Sequence, residues 1–293
     1  LLHHPSLGEI DARLLDERPD QIIHAEEFNV ATAARAVDAD IIIVAPDERR
    51  GMDLQPLLDC KKAGYPVIQY LTFVENEIRR IDLKRLELGW LVYSDGFTFG
   101  NMDRFLKRTF DLVVSSFILV AAAPLLFAGM IAVRRAGPGP LFYRQDRVTQ
   151  DGRVFPIMRL RTLRVQGQGA VRTGQRDSRV TMAGALLRRA RIDELPQLFN
   201  VLRGEMSFVG PRPEPPGLVA ELESQIPLYN ERHMVKAGVI GWAQINCRDG
   251  VSIDDARSKL SYDLYYVKNF SVLFDCFILL QTLRGALWPN GTR

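Results

Sequence analysis

The chain has 293 residues, 47% of them hydrophobic, with 38 Lys+Arg against 35 Asp+Glu for a formal net charge of +3. This excludes a disordered, collagen-like or low-complexity chain, and the length suits one large domain or two ordinary ones. The three cysteines, Cys60, Cys247 and Cys276, lie far apart, form neither a redox pair nor a metal-ligand spacing, and point to a reducing compartment.

The net charge hides an asymmetry. Residues 1–100 carry 11 basic and 18 acidic side chains, and residues 101–293 carry 27 and 17. The extreme is Arg134–Arg191, with 14 basic and 3 acidic. Two parts with different partners are expected, the basic one facing something anionic: nucleic acid, phosphorylated small molecules or an anionic membrane.

In chain order, the first hundred residues alternate strand and helix signals. Apolar runs at Asp40–Ala45 and Pro66–Thr72 read as strands, the first closed by a Pro46-Asp47 turn. Helical patterns cover Asn29–Val37, Asp53–Ala63 and Glu75–Leu88. Such alternation predicts a parallel α/β layer, a Rossmann-like module over residues 1–100 that could lack its first strand. No glycine-rich phosphate loop follows a strand, so a structural or assembly role is favoured over nucleotide sensing.

Leu112–Val133 holds 22 residues without a charge. At about 1.5 Å per residue it is long enough for a hydrocarbon core of roughly 30 Å; a buried core helix is the other reading. Pro124 breaks the run, and Lys107, Arg108, Arg134 and Arg135 flank it. Basic residues at both ends favour the cytoplasmic side for both, so residues 101–136 are expected to form a re-entrant helix, kinked at Pro124, with Ser115 and Ser116 satisfying freed backbone groups. Downstream, Val165–Gln175 reads as a Gly/Gln-rich surface loop, and Phe270–Trp288 as either an interfacial amphipathic helix or a core helix.

Three local clusters could carry chemistry. Asp193 and Glu194 follow Arg188, Arg189 and Arg191 and precede Pro196. Carboxylates among arginines are expected to stay ionised, an ionised Asp can attack phosphorus, carboxylates hold Mg²⁺, and arginines clamp phosphate oxygens. Gly210-Pro211-Arg212-Pro213 either aims Arg212 or is a plain rigid turn. The stretch from Lys236 to Gln244, with two glycines and Trp242, either lines a pocket or packs as a turn.

From about Lys107 to the C-terminus the chain resembles the monotopic polyprenyl-phosphate phosphoglycosyl transferases, the bacterial sugar transferases that start exopolysaccharide, capsule and O-antigen synthesis. The resemblance rests on KRTFD (Lys107–Asp111), GPLFYRQDRV (Gly139–Val148), DSRVT (Asp177–Thr181), RIDELPQLFNVLRGEMSFVGPRP (Arg191–Pro213), KAGVIGWAQIN (Lys236–Asn246) and YDLYYVKN (Tyr262–Asn269). One departure is Ala237, where the family commonly has Pro. The ending is most similar to the exopolysaccharide-associated branch. The acidic region ahead resembles the soluble domain of the family's long form, whose further transmembrane helices upstream would account for a chain beginning at Leu1.

The resemblance implies a mainly helical monotopic membrane catalytic domain with short strands over residues 137–293, on the cytoplasmic face of the bacterial inner membrane. It implies transfer of a sugar 1-phosphate from a UDP-sugar to polyprenyl (undecaprenyl) phosphate, with release of UMP. Asp193 would be the nucleophile, and Glu194 would help hold Mg²⁺ (or Mn²⁺). Arg188, Arg212, Arg159, Arg161 and Lys236 would bind substrate. The extra α/β domain points to a homodimer, and the sugar is not named. The alternative from another class is a membrane-anchored regulatory or nucleic-acid-binding protein. The basic stretch favours it, but the aromatic–basic interleaving of a nucleic-acid module is absent, and no nucleic acid is expected as partner.

Overall fold

The computed structural model describes residues 32, 34–35, 39–44, 54–83, 96–97, 100–163, 181–247, 250 and 252–287. The Pro46-Asp47 turn, the Val165–Gln175 loop, most of Asn29–Val37, the end of Glu75–Leu88 and Trp288 lie outside the described residues. The chain divides into two compact units, Leu1–Val92 and Tyr93–Arg293.

In the first unit, strands β1 (Ile42–Val44) and β2 (Val67–Gln69) pair in parallel, Ile42 opposite Val67 and Val44 opposite Gln69. Helix α1 (Gln55–Lys62) lies between them in sequence, with a proline in its first turn and Lys61 and Lys62 at its C-terminal end, where each suits the helix. Ala34, Ile42, Val44 and Cys60 form the buried centre of this unit. Helix α2 (Tyr70–Ile78) starts directly after β2, five residues earlier than the sequence pattern predicts. Among the described residues the ladder with β1 ends at Gln69, and the helix begins at the next residue.

The second unit opens with two helices, α3 (Asn101–Ala121) and α4 (Ala123–Arg135), bent by 62° at Ala122. The break falls where Pro124 predicts it. Pro124 sits in the first turn of α4, where a missing N–H costs no intrahelical bond. Among the described residues no single helix is long and apolar enough to cross a membrane; this bent pair passes that test only together. Ser115 does not serve the break as expected. Its hydroxyl is buried with no hydrogen-bond partner, nearly two turns earlier in α3.

Strands β3 (Phe142–Val148) and β4 (Val154–Leu160) follow as an antiparallel hairpin, Phe142 opposite Leu160 and Val148 opposite Val154. Helix α5 (Met182–Arg189) is capped by Thr181, whose Oγ1 accepts from the Gly184 N–H at 2.9 Å. A 3₁₀ turn at Ile192–Glu194 leads into α6 (Gln197–Arg203) and then β5 (Ser207–Val209). Helix α7 (Pro216–Gln225), a 3₁₀ stretch Tyr229–Met234, β6 (Gly238–Ile240), α8 (Trp242–Asn246), α9 (Ile253–Lys268) and α10 (Val272–Leu287) complete the unit.

Phe155, Ile157, Leu198, Val201, Phe208, Trp242, Tyr266 and Ile278 are among the residues of its core. Phe274 packs edge-on to Trp242 and Tyr265, which ties α10 to α8 and α9. The apolar C-terminal run is therefore partly core: Ile278 is buried, while Leu273, Leu280 and Leu283 are exposed.

One polar network lies inside this apolar packing. Lys107 on α3 donates to Asp275 Oδ2 at 2.6 Å and to the Val209 carbonyl at 3.1 Å, and pairs with Asp111 Oδ1 at 3.1 Å. Asp111 accepts from Ser207 Oγ and the Phe208 N–H. The Tyr266 hydroxyl lies 2.8 Å from Asp275 Oδ1 and 3.0 Å from the Val209 carbonyl. Lys107 and Arg108, the basic flank ahead of the apolar run, are thus both committed to internal contacts. Lys107 is buried, and Arg108 donates to the carbonyls of Val201 and Leu202 at the end of α6.

Candidate active site

The carboxylate pair sits on the 3₁₀ turn between α5 and α6. Arg191, just ahead of it, takes a left-handed conformation (φ 51°, ψ 20°) that turns the chain off α5. Pro196 then starts α6. Asn200, fully buried in α6, holds this helix against β4: its Oδ1 accepts from the Met158 N–H and its Nδ2 donates to the Pro156 carbonyl. The same strand carries Arg159, so one side chain fixes the spacing between the arginine and the pair.

Arg212 comes from the turn after β5. That turn is pressed against β6 so closely that a Cβ on Gly210 would lie 2.4 Å from the Lys236 carbonyl, and one on Gly238 would lie 2.1 Å from the Gly210 nitrogen. Only glycine fits on both sides. Two further arginines hold the turn. Arg147 on β3 donates to the Pro213 carbonyl at 2.8 Å and approaches Glu214. Arg232, paired with Asp263 at 2.8 Å in the interior, donates to the Arg212 carbonyl at 2.9 Å.

Glu194 is surrounded by guanidinium groups: Arg159 at 3.1 Å and Arg212 at 3.4 Å from Oε1, and Arg191 at 3.5 Å from Oε2. Burial opposes its charge, but Arg159, Arg212 and Arg191 together hold its carboxyl below the usual range. Asp193 goes the other way. Burial pushes its carboxyl up, the charge on Glu194 adds to this, and Arg159 and Arg188 offset only part. The lowering expected of carboxylates among arginines is thus seen at Glu194, while at Asp193 burial outweighs it and moves the carboxyl up. The two neighbouring acids thus sit in opposite environments, one held as the counter-charge of three arginines and the other the more basic carboxylate.

The cations exceed these needs. Arg188 spends its Nε on Thr162 Oγ1 at 2.8 Å. The Nε atoms of Arg159 and Arg147 are buried and have no hydrogen-bond partner among the described residues. Arg159 lies near Arg212 and Arg188, and burial together with these like charges lowers its proton affinity. Buried donors without partners are costly, and an anion placed beside them would remove that cost.

Of the residues singled out in the sequence, the structure brings Asp193, Glu194, Arg159, Arg188 and Arg212 together. Arg161 is spent elsewhere: it donates to the carbonyls of Val133, Gly137 and Pro138, which ties the end of α4 to the end of β4. Lys236 is not among the cations around the pair and lines a separate cavity. Pro124 lies at the hairpin break. Arg147 and Thr162 were missed; Arg147 lies inside the GPLFYRQDRV stretch, but nothing in that stretch tells which strand face it takes. Ala237, the departure from Pro, uses the N–H that Pro lacks, donating to Thr149 Oγ1 at 3.1 Å.

Among the described residues no group of three or more His, Cys, Asp and Glu forms a metal cage. The two carboxylates still suit Mg²⁺ as it is commonly held, by one or two carboxylates plus substrate phosphate oxygens. For Glu194 to take part, it would exchange an arginine contact for the ion.

Helix α4 lies beside the pair. A Cβ on its Gly129 would come within 3.0 to 3.3 Å of Leu160, Ile192 and Leu187, so the helix rests directly on the strand and turn that carry Arg159 and Asp193.

A carboxylate pair ringed by arginines with donors to spare is suited to anionic groups. The comparisons name the class: residues 102–288 match the family model described as bacterial sugar transferase, and the chain belongs to that family. It is similar to a UDP-N-acetylgalactosamine-undecaprenyl-phosphate N-acetylgalactosaminephosphotransferase of Aeromonas hydrophila, at 34% identity over 100% of this chain and 66% of that protein. A UDP-glucose:undecaprenyl-phosphate glucose-1-phosphate transferase of Escherichia coli (strain K12) is 39% identical over 62% of this chain and 40% of its own length. An exopolysaccharide production protein PSS of Rhizobium leguminosarum bv. phaseoli is 37% identical over 63% and 97%. The chain thus spans 66% and 40% of the lengths of the first two relatives.

Proposed function

We propose that the protein transfers a sugar 1-phosphate from a UDP-sugar to undecaprenyl phosphate through a covalent intermediate on Asp193. The observation that carries this is the asymmetric pair: Glu194 is held by three arginines, while Asp193 is buried with its proton affinity raised and buried arginine donors beside it are unpaired.

An oxygen of Asp193 attacks the β-phosphorus of the donor. The bond from that phosphorus to the bridging oxygen breaks, UMP departs with the bridging oxygen, and the sugar phosphate remains as an acyl phosphate. A phosphate oxygen of the lipid then attacks the same phosphorus and returns the carboxylate. Arg159, Arg188 and Arg212 bind the non-bridging oxygens, and their charge matters most as UMP leaves. Asp193 and Glu194 would hold Mg²⁺ or Mn²⁺, which supplies neutralisation of the diphosphate. Splitting one displacement into two lets one site serve a soluble donor and a lipid acceptor in turn.

We also read α3–α4 as a re-entrant hairpin in the cytoplasmic leaflet. The 62° bend, the exposed Val113, Phe117, Val120, Leu125, Phe127 and Ile131, and the basic Arg134 and Arg135 support it. The first unit is read as a Rossmann-like assembly module, which suits a homodimer. The relatives act on different donors, by their names UDP-N-acetylgalactosamine and UDP-glucose. The test is UMP release by detergent-solubilised protein supplied with undecaprenyl phosphate and a panel of UDP-sugars. Release with one or more donors is expected; none with any donor would refute the reading.

A further inference from the structure

The second unit contains a cavity of about 350 Å³ away from the carboxylate pair. Arg104 and Arg108 of α3, Asp151 and Arg153 at the β3–β4 turn, and Lys236 ahead of β6 line it, with Phe270 on one wall. Arg153 and Arg159 lie at opposite ends of β4. Six residues at about 3.3 Å each put the two arginines about 20 Å apart.

The cations here divide into spent and unspent. Lys107, also on the wall, is neutralised by Asp111 and Asp275. Arg108 gives both terminal nitrogens to the α6 carbonyls. Arg104, Arg153 and Lys236 have no ion-pair or side-chain hydrogen-bond partner among the described residues, and the one other acid of the wall, Asp151, makes no ion pair. Lys236 and Arg108 converge: a Cβ on Gly204 would lie 3.7 Å from Lys236 Nζ and 3.6 Å from Arg108 Nη2. Lys236 is half-buried, and burial, then Arg108 and Arg153, lower its proton affinity, with Asp111 opposing. An anion in the cavity would relieve this crowding. The volume exceeds that of a bare phosphate and leaves room for a small organic group beside Phe270.

We propose that this cavity is a second anion site, separate from the transfer site, in which Lys236, Arg153 and Arg104 hold the phosphate of a phosphate monoester. That chemistry could come from a soluble metabolite or from a lipid headgroup. The soluble source is favoured, because the cavity lies at the end of β4 opposite the one that Arg161 ties to α4.

The experiment is amine labelling of the full-length, detergent-solubilised chain, read by peptide mass spectrometry at Lys236 with exposed Lys62 as internal reference. Glycerol phosphate should reduce labelling of Lys236 at least tenfold relative to Lys62 in wild-type protein, and equally in Asp193→Asn, which keeps the result independent of the transfer reading. Arg153→Ala should abolish the protection. Protection only in nanodiscs containing phosphatidic acid, compared with phosphatidylcholine alone, would support the site and assign it to a lipid. No protection from either source would overturn the proposal. So would equal protection by sodium chloride at matched ionic strength, or protection that persists in Arg153→Ala and is lost in Arg159→Ala.

Discussion

The Lys107–Asp111–Asp275 network and the arginine cradle around Asp193 are both clusters of ionised side chains withdrawn from water, and they differ in what is left over. In the first, the ammonium meets two carboxylates and a carbonyl, and Tyr266, Ser207 and the Phe208 N–H fill the remaining acceptors. It ties α3 to β5, α9 and α10. In the second, one carboxylate is over-supplied with arginines, the other is under-supplied, and buried guanidinium donors lack partners. A balanced cluster stabilises a fold. An unbalanced one carries a cost that a bound anion would remove.

The comparison is broken most directly at the nucleophile. Asp193→Asn keeps the shape and most of the hydrogen bonding, so UMP release should fall on the order of 10⁴-fold or more while the melting temperature is nearly kept. Near-normal turnover would remove Asp193 from the chemistry. Lys107→Met should do the reverse. It leaves Asp111 and Asp275 buried without their cation, a loss of about 3–5 kcal/mol in a denaturant titration. Little change in stability would mean that the network is not balanced as described.

Arg159→Lys sharpens the comparison inside the cradle. It keeps a positive charge near Glu194 but loses the planar fork, so kcat should drop on the order of 10²-fold with little change in stability.

A smaller effect comes from His233, beside Tyr229 and Arg232. Burial, with Arg232 adding, lowers its proton affinity to a pKa of about 4 from 6.5. The unfolded chain therefore binds the extra proton between these values. The stability that neutral His233 contributes is full above pH 6.5 and is lost as pH falls toward 4, by about 3 kcal/mol. Asp263, pushed by burial up to about 6 despite Arg232, gives the opposite slope over much of this range. The measurement is accordingly the difference between wild type and His233→Gln, which should grow steadily from pH 4 to 6.5. A flat difference would contradict the assignment.

The sequence made the local features legible. The break at Pro124 follows from one missing N–H, the strands and α1 follow from short apolar runs and helical spacing, and the carboxylate pair with Arg188 and Arg212 stands out as clusters of charge and proline. What was not legible depends on contacts between distant segments. Lys107 meets Asp275 across 168 positions and Ser207 meets Asp111 across 96. No local pattern marks these four residues as one network, and Lys107 reads from sequence only as part of a basic flank. That Arg161 and Lys236 lie apart from the carboxylate pair was hidden for the same reason. Arg161 is two residues from Arg159, on the same face by strand alternation, but β4 ends at Leu160 and its side chain turns to the carbonyls at the end of α4. The inverted response of Asp193 is equally hidden, because burial outweighs arginines that the sequence shows and burial itself is not visible there.

The under-supplied carboxylate, Asp193, is the group proposed to form the covalent bond. The direct measurement is peptide mass mapping of protein incubated with its UDP-sugar in the absence of lipid. The account predicts a sugar phosphate attached at Asp193, labile to hydroxylamine and discharged by undecaprenyl phosphate, with UMP released before the lipid reacts. An adduct mapped to Glu194, or full turnover under conditions where no adduct forms at Asp193, would contradict it.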